Sequence, residues 1–207
     1  MPDNKTIVVV SNNQKIKNET DIYIELLNEG LDILHIRKYG YPEYRIQKLI
    51  EKIPVQFHKN LVIHDYYHLA KEYNLGGIHI TRKKRNNFLF MNLGIRTFRN
   101  TPGLNISTSF HSTRKIQNSP NFYTYFFLNS LFGSILEGGK HAYQEPDKLR
   151  EFLLSNSRKV VALGGVDLVN IQQVKEIGFK AVGFHGAIWG FDNPVERFIN
   201  LKNKFLE

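Results

Sequence analysis

The stretch Val160–Gly190, VVALGGVDLVNIQQVKEIGFKAVGFHGAIWG, decides how this chain is read. Two short apolar runs, VVAL and AVGF, each end at glycine: Gly164 and Gly165 after the first, Gly186 just past His185 after the second. Between them, DLVNIQQVKEIG carries the spacing of an amphipathic helix. Strand, turn, helix, strand and turn follow one another. Glycines at both turns let backbone N–H groups approach an anion closely, and a helix starting there would add its dipole.

Outward from this stretch the pattern recurs. KTIVVVS and LDILHIRK are β-branched or apolar runs, and ETDIYIELLNEG between them places Ile22, Leu26 and Leu27 on one helical face before Gly30. The helix YPEYRIQKLIEKI, with Pro42 near its start, leads to NLVIH, the helix DYYHLAKEYN and the strand GGIHI. An irregular basic segment follows, then GLNISTS, a short helical stretch from His111, FYTYFFL, a long loop, the helix EPDKLREFLLS and RKVVAL, with a last helix over NPVERFINLKNKFLE. Roughly eight strands at about 25-residue spacing are the economy of a small (β/α)8 TIM barrel. A doubly wound sheet would place a glycine-rich fingerprint after the first strand, and VVVSNNQKIK contains no glycine.

The 207 residues, 42% hydrophobic, suffice for one substantial core, and no linker or low-complexity tract divides them, so a single domain over residues 1–207 is expected. No apolar run approaches the ~20 residues of a membrane span, and the start MPDNKTIVVVSNN does not resemble an export leader. A soluble, cytoplasmic protein without a membrane partner is expected. The absence of cysteine excludes disulfides, thiolate metal sites and cysteine nucleophiles. A formal charge of +9 favours anionic partners. The basic cluster Arg82–Arg85 reads as a solvated loop, and without a basic stripe interleaved with aromatics nucleic acid is not expected.

Barrels of this kind place their chemistry at the carboxyl ends of the strands. Gathered there are Ser11 and Asn12, His35 and Arg37, His64 and Asp65, His79, Ser109 and His111, Asn129, Gly164 and Gly165, and His185 and Gly186. The turns after strands 7 and 8 are the recurrent phosphate site of the fold, which favours phosphate binding over a merely tight Gly-Gly turn. The histidines raise a metal-dependent hydrolase as a further reading, but the His-x-His pair that anchors such sites is missing. On that ground His79 reads as scaffold, and His35 as a substrate contact or an inner-barrel histidine.

Five fragments, in order, resemble the thiamine phosphate synthase and TenI superfamily of small TIM barrels: LHIRKY, LVIHDYYHLAKEYNLGGIHI, ISTSFHS, LNSLFGSILEGGKHAY and the opening stretch. The resemblance implies that Gly164, Gly165, His185 and Gly186 hold the phosphate of a thiazole phosphate, with Ser134 near the same ligand and His35 and His64 contributing to substrate binding. It implies, for synthases, that Arg37 and Asp65 serve the pyrophosphate of an aminopyrimidine substrate, Asp65 through Mg2+. In the TenI branch, which rearranges a thiazole tautomer and needs no cofactor, it implies that His111 transfers the proton. Imidazole suits that task because it titrates near neutrality.

Departures from the family pattern weigh against the synthase. Its second magnesium aspartate falls where this chain runs into TRKKRN, which leaves Asp65 as a weak metal ligand at most. His64 replaces an asparagine, Glu137 a lysine, Lys38 an acidic residue and Tyr39 a lysine. A thiazole tautomerase is therefore slightly favoured, with thiamine phosphate synthase and a non-catalytic phosphate-ligand binder as alternatives. Assembly as a homo-oligomer stays open.

Overall fold

A computed structural model describes residues 5–132 and 145–207. Eight parallel strands close into a barrel in sequence order: β1 Thr6–Val10, β2 Ile33–Ile36, β3 Leu61–Ile63, β4 Gly77–Ile80, β5 Asn105–Phe110, β6 Tyr125–Leu128, β7 Lys159–Ala162 and β8 Ala181–Phe184. Closure runs through β1 and β8, with Thr6 opposite Ala181 and Val8 opposite Gly183. No helix among the described residues is long and apolar enough to cross a membrane.

Period-2 alternation sorts each strand between two cores. Ile7, Val9, Leu34, Ile36, Ile78, Ile80, Phe126 and Leu128 face the helices, whereas Val8, Tyr125, Phe127 and Val161 pack inside the barrel. Around the barrel lie α1 Glu19–Asn28, α2 Glu43–Lys52, α3 His68–Glu72, α6 Thr113–Gln117, α7 Pro146–Ser155, α8 Ile171–Ile177 and α10 Pro194–Leu206. Helix α10 buries Phe198, Leu201 and Phe205, each worth about 1.5–3 kcal/mol. Gly30, at φ 85°, turns the chain out of α1, and the Leu31 N–H donates back to the Leu26 carbonyl.

Two elements differ from the sequence reading. The basic segment after β4 is not irregular: it contains α4 Arg82–Arg85, a π-helical turn over Phe90–Gly94 and α5 Arg96–Arg99. Met91, Ile95 and Phe98 recur at four- and three-residue spacing and, with Phe90, pack on the barrel, a period that the surrounding charges obscured. A further short helix, α9 Gly186–Trp189, lies between β8 and α10, fastened where the Trp189 indole N–H donates to the Val10 carbonyl.

Candidate active site

Gly164 and Gly165, just beyond β7, take φ of 94° and 70°, which L side chains adopt only with strain. Gly164 is also sterically required. A Cβ there would lie 2.5 Å from the Ser130 nitrogen, because the loop after β6 crosses against it, with the Phe132 N–H donating to the Gly164 carbonyl. The Asn170 amide donates to the Gly165 carbonyl, holding the turn from the other side. Helix α8 starts only at Ile171, six positions past Gly165, so the expected helix dipole does not stand behind this turn. Among the described residues the Gly164 and Gly165 N–H groups donate to no backbone carbonyl.

These glycines floor a cavity of about 210 Å3 that is also lined by Arg37, His111, Asn129, Ser130, His185 and Gly186. The His185 imidazole is held below its ordinary pKa by burial and then by the Arg37 charge, which favours its neutral form. His111 is exposed at the end of β5, its Nδ1 3.3 Å from the Ser130 hydroxyl. Ser130 itself has φ 60°, a strained conformation for a serine. Sequence reasoning missed Ser130. Its signal is tertiary, arising where the β6 loop meets Gly164.

A second cavity, about 370 Å3, adjoins the first and shares Val10, Arg37, His111, Asn129 and Leu163 with it. Its remaining lining is cationic and aromatic: Arg82, Arg85, Lys115, Tyr39, His64 and His79 among others. Arg85 is half-buried, its guanidinium donating to the Thr108 hydroxyl and the Ser109 carbonyl and lying over the Phe110 ring at 4.1 Å. The cluster read as a solvated loop therefore sends Arg82 and Arg85 into the rim. Arg37 is fixed at the end of β2, where its backbone N–H donates to the Ser11 hydroxyl, and its guanidinium stacks on Tyr39 at 4.9 Å.

The rest of the expected set divides. His64, buried at the end of β3, lines the second cavity. His35 is wholly buried inside the barrel, with Nδ1 3.0 Å from His64 Nε2 and Nε2 2.7 Å from the Tyr125 hydroxyl, and lines neither cavity. Lys38 also turns away from the rim, buried against the Asn12 and Gln14 carbonyls and the Glu19 carboxylate. Ser134, with Glu137, lies outside the described residues.

Asp65 lines a different cavity, with Tyr41, Tyr66, Tyr67, Lys84, Phe90 and Phe98. Burial pushes its carboxyl up, while Lys84 and Lys83 pull it back down. Among the described residues no group of three metal-ligating side chains includes it. A carboxylate faced by two lysines and lacking a second acidic partner does not fit a magnesium centre.

The family model described as thiamine monophosphate synthase matches residues 7–188. A thiamine phosphate pyrophosphorylase from Bacteroides thetaiotaomicron is 29% identical, with a TM-score of 0.74 over 97% of this chain and 96% of that one. The thiamine phosphate pyrophosphorylase of Pyrococcus furiosus is 17% identical, with a TM-score of 0.76 over 99% and 96% of the two chains. KGPDC from Streptococcus mutans shares the fold at 12% identity and a TM-score of 0.69 over 98% and 97%. No curated protein has a significantly similar sequence. A match spanning the whole barrel, from β1 through α9, makes this chain a member of the thiamine monophosphate synthase family.

Proposed function

We propose that the chain is a thiamine phosphate synthase, joining an aminopyrimidine pyrophosphate to a thiazole phosphate. One observation carries this reading: two cavities share Arg37 and His111, one floored by glycine backbone and the other ringed by cations. The glycine turn suits a monoester phosphate, the kind of anion that backbone N–H groups hold well. Arg37, Arg82, Arg85 and Lys115 suit a pyrophosphate. In this reaction the bond between the pyrimidine methylene carbon and the pyrophosphate oxygen breaks, pyrophosphate leaves with the electron pair, and the thiazole nitrogen closes a C–N bond to that carbon. Charge grows on the leaving oxygen, and guanidinium groups already fixed around it stabilise that charge without reorganising. Arg85 meets that condition through its bonds to Thr108 and Ser109. Arginines thus occupy the role that magnesium fills in the resemblance, and the reaction is proposed to proceed without that ion.

The tautomerase reading rests on a different observation, the 3.3 Å approach of His111 to Ser130 beside the glycine turn. There a single imidazole would take a proton from the thiazole ring system and return it elsewhere. Incubating the protein with both synthase substrates and, separately, with the thiazole tautomer, and following products by chromatography, tests the two. Thiamine phosphate from the pair is the expected outcome. Conversion of the tautomer alone would replace the synthase by the tautomerase, and neither product with thiazole phosphate bound would leave a binding protein.

A further inference from the structure

Sequence spacing argued against a metal site because the chain lacks a His-x-His pair, but the barrel brings together what the sequence separates. His35, His64 and His79 come from three consecutive strands or their ends, β2, β3 and β4, and point into the same interior. One ring nitrogen of each lies within 4.8 Å of the other two. His35 Nδ1 and His64 Nε2 are 3.0 Å apart, and the His64 and His79 rings stack at 4.3 Å. Zinc–imidazole bonds of about 2.0–2.1 Å in a tetrahedral arrangement separate ligand nitrogens by about 3.4 Å, so small ring rotations suffice.

The outward nitrogens of His35 and His79 are already engaged in the way that metal-bound imidazoles require. His35 Nε2 lies 2.7 Å from the Tyr125 hydroxyl; with the phenol oxygen accepting from His35 Nε2–H, the Nδ1 lone pair is presented inward. Ser107 passes its own hydrogen to the Ile78 carbonyl and accepts from His79 Nδ1–H at 2.9 Å, which turns the His79 Nε2 lone pair inward.

We propose that His35, His64 and His79 bind one divalent transition-metal ion, of the zinc, cobalt or nickel class, in the barrel interior beneath the cationic cavity. Imidazole ligation selects these ions over magnesium or calcium, which prefer oxygen donors. His64 and His79 line the cavity and His35 does not, so the fourth coordination position opens to the cavity. Arg37 and Arg85 line the same cavity as His64 and His79, and their positive charge makes an anion the preferred fourth ligand. The site is independent of which reaction the rim performs.

The test uses protein stripped of metal by chelator dialysis and titrated with CoCl2. Uptake of one Co2+ per chain is expected, with the intense visible absorption of four-coordinate cobalt and a spectral shift on adding thiocyanate. His64→Ala and His79→Ala should abolish uptake, and Ser107→Ala, which frees the outer nitrogen of His79, should weaken it by about 10–100-fold. His68→Ala, at an exposed imidazole paired with Glu43, should change nothing. Failure of the unaltered protein to take up stoichiometric Co2+ would overturn the proposal, even if the histidine variants do not fold. So would uptake that survives in folded His64→Ala and His79→Ala, or a spectrum indifferent to thiocyanate.

Discussion

The two sides of the barrel mouth are built on opposite principles. On the β7–β8 side the cavity is floored by glycine: Gly164 and Gly165 at positive φ, then Gly186. On the β2–β5 side it is ringed by charged and aromatic residues, with Arg37, Arg82, Arg85, His64 and His79 brought together from separate strands and loops. The contrast matches two kinds of anion recognition. Backbone N–H groups give a small, shaped cradle whose position is inherited from the turn. Guanidinium groups give charge, and they need neighbours such as Thr108 and Tyr39 to aim them. A molecule with both has the means to hold two different anions side by side.

The first way to break this comparison is at the residue common to both sides. Arg37→Met removes a cation from each cavity, and kcat/KM for thiamine phosphate formation should fall by about 10³-fold with the fold retained. A loss under tenfold, measured in steady state with both substrates, would mean that the cavities do not work as a pair. Gly164→Ala tests the backbone side. The left-handed conformation costs about 1–2 kcal/mol and the overlap with Ser130 adds about 1–3 kcal/mol. Gly30→Ala, at φ 85° but with nothing within 4 Å, carries only the first of these costs. Urea denaturation of both variants should show the larger loss at Gly164; equal losses would mean the β6 loop yields freely.

Gly165→Asp sharpens the assignment of the cradle. A carboxylate set among the N–H groups repels the incoming phosphate, so affinity for thiazole phosphate should drop by about 10²-fold by calorimetry. Unchanged affinity would move the phosphate to the cationic side. The smallest effect is expected at His111. In a condensation driven by charge neutralisation, His111→Asn should lower the rate by no more than about tenfold. A fall of about 10²–10⁴-fold, accompanied by loss of an ionisation near pH 6–7, would instead identify a proton-transferring imidazole and favour the tautomerase.

Much of the fold was legible because alternating periodicity is a local property. KTIVVVS, LDILHIRK and their successors each declare a strand through a few β-branched neighbours, and the intervening stripes declare helices. Reading failed at Arg82–Arg99, where charged residues masked the apolar spacing, and at α9, too short to show a period. At the rim the result was similarly divided. The glycine turn could be located because glycine announces its own conformational freedom. The resemblance pairs Asp65 with Arg37, yet Asp65 lines another cavity beside Lys84, because one further residue along the chain sends a side chain to a different side of the rim.

By itself the sequence determined the alternation of strands and helices, the parallel barrel they imply, the family and the turns where backbone is bare. All of these depend on the order of residues within short segments, and the hydrophobic effect reads that order directly. Tertiary structure alone decided which side chains meet. Closing the barrel set His35 beside His64 and His79, brought the loop of Ser130 against Gly164, and turned Arg85 inward onto Thr108. His35 and His64 are 29 positions apart in the chain, and Arg85 and Thr108 are 23 apart. Their contact follows from strand register and the inward or outward sense of each side chain, which no local stretch encodes.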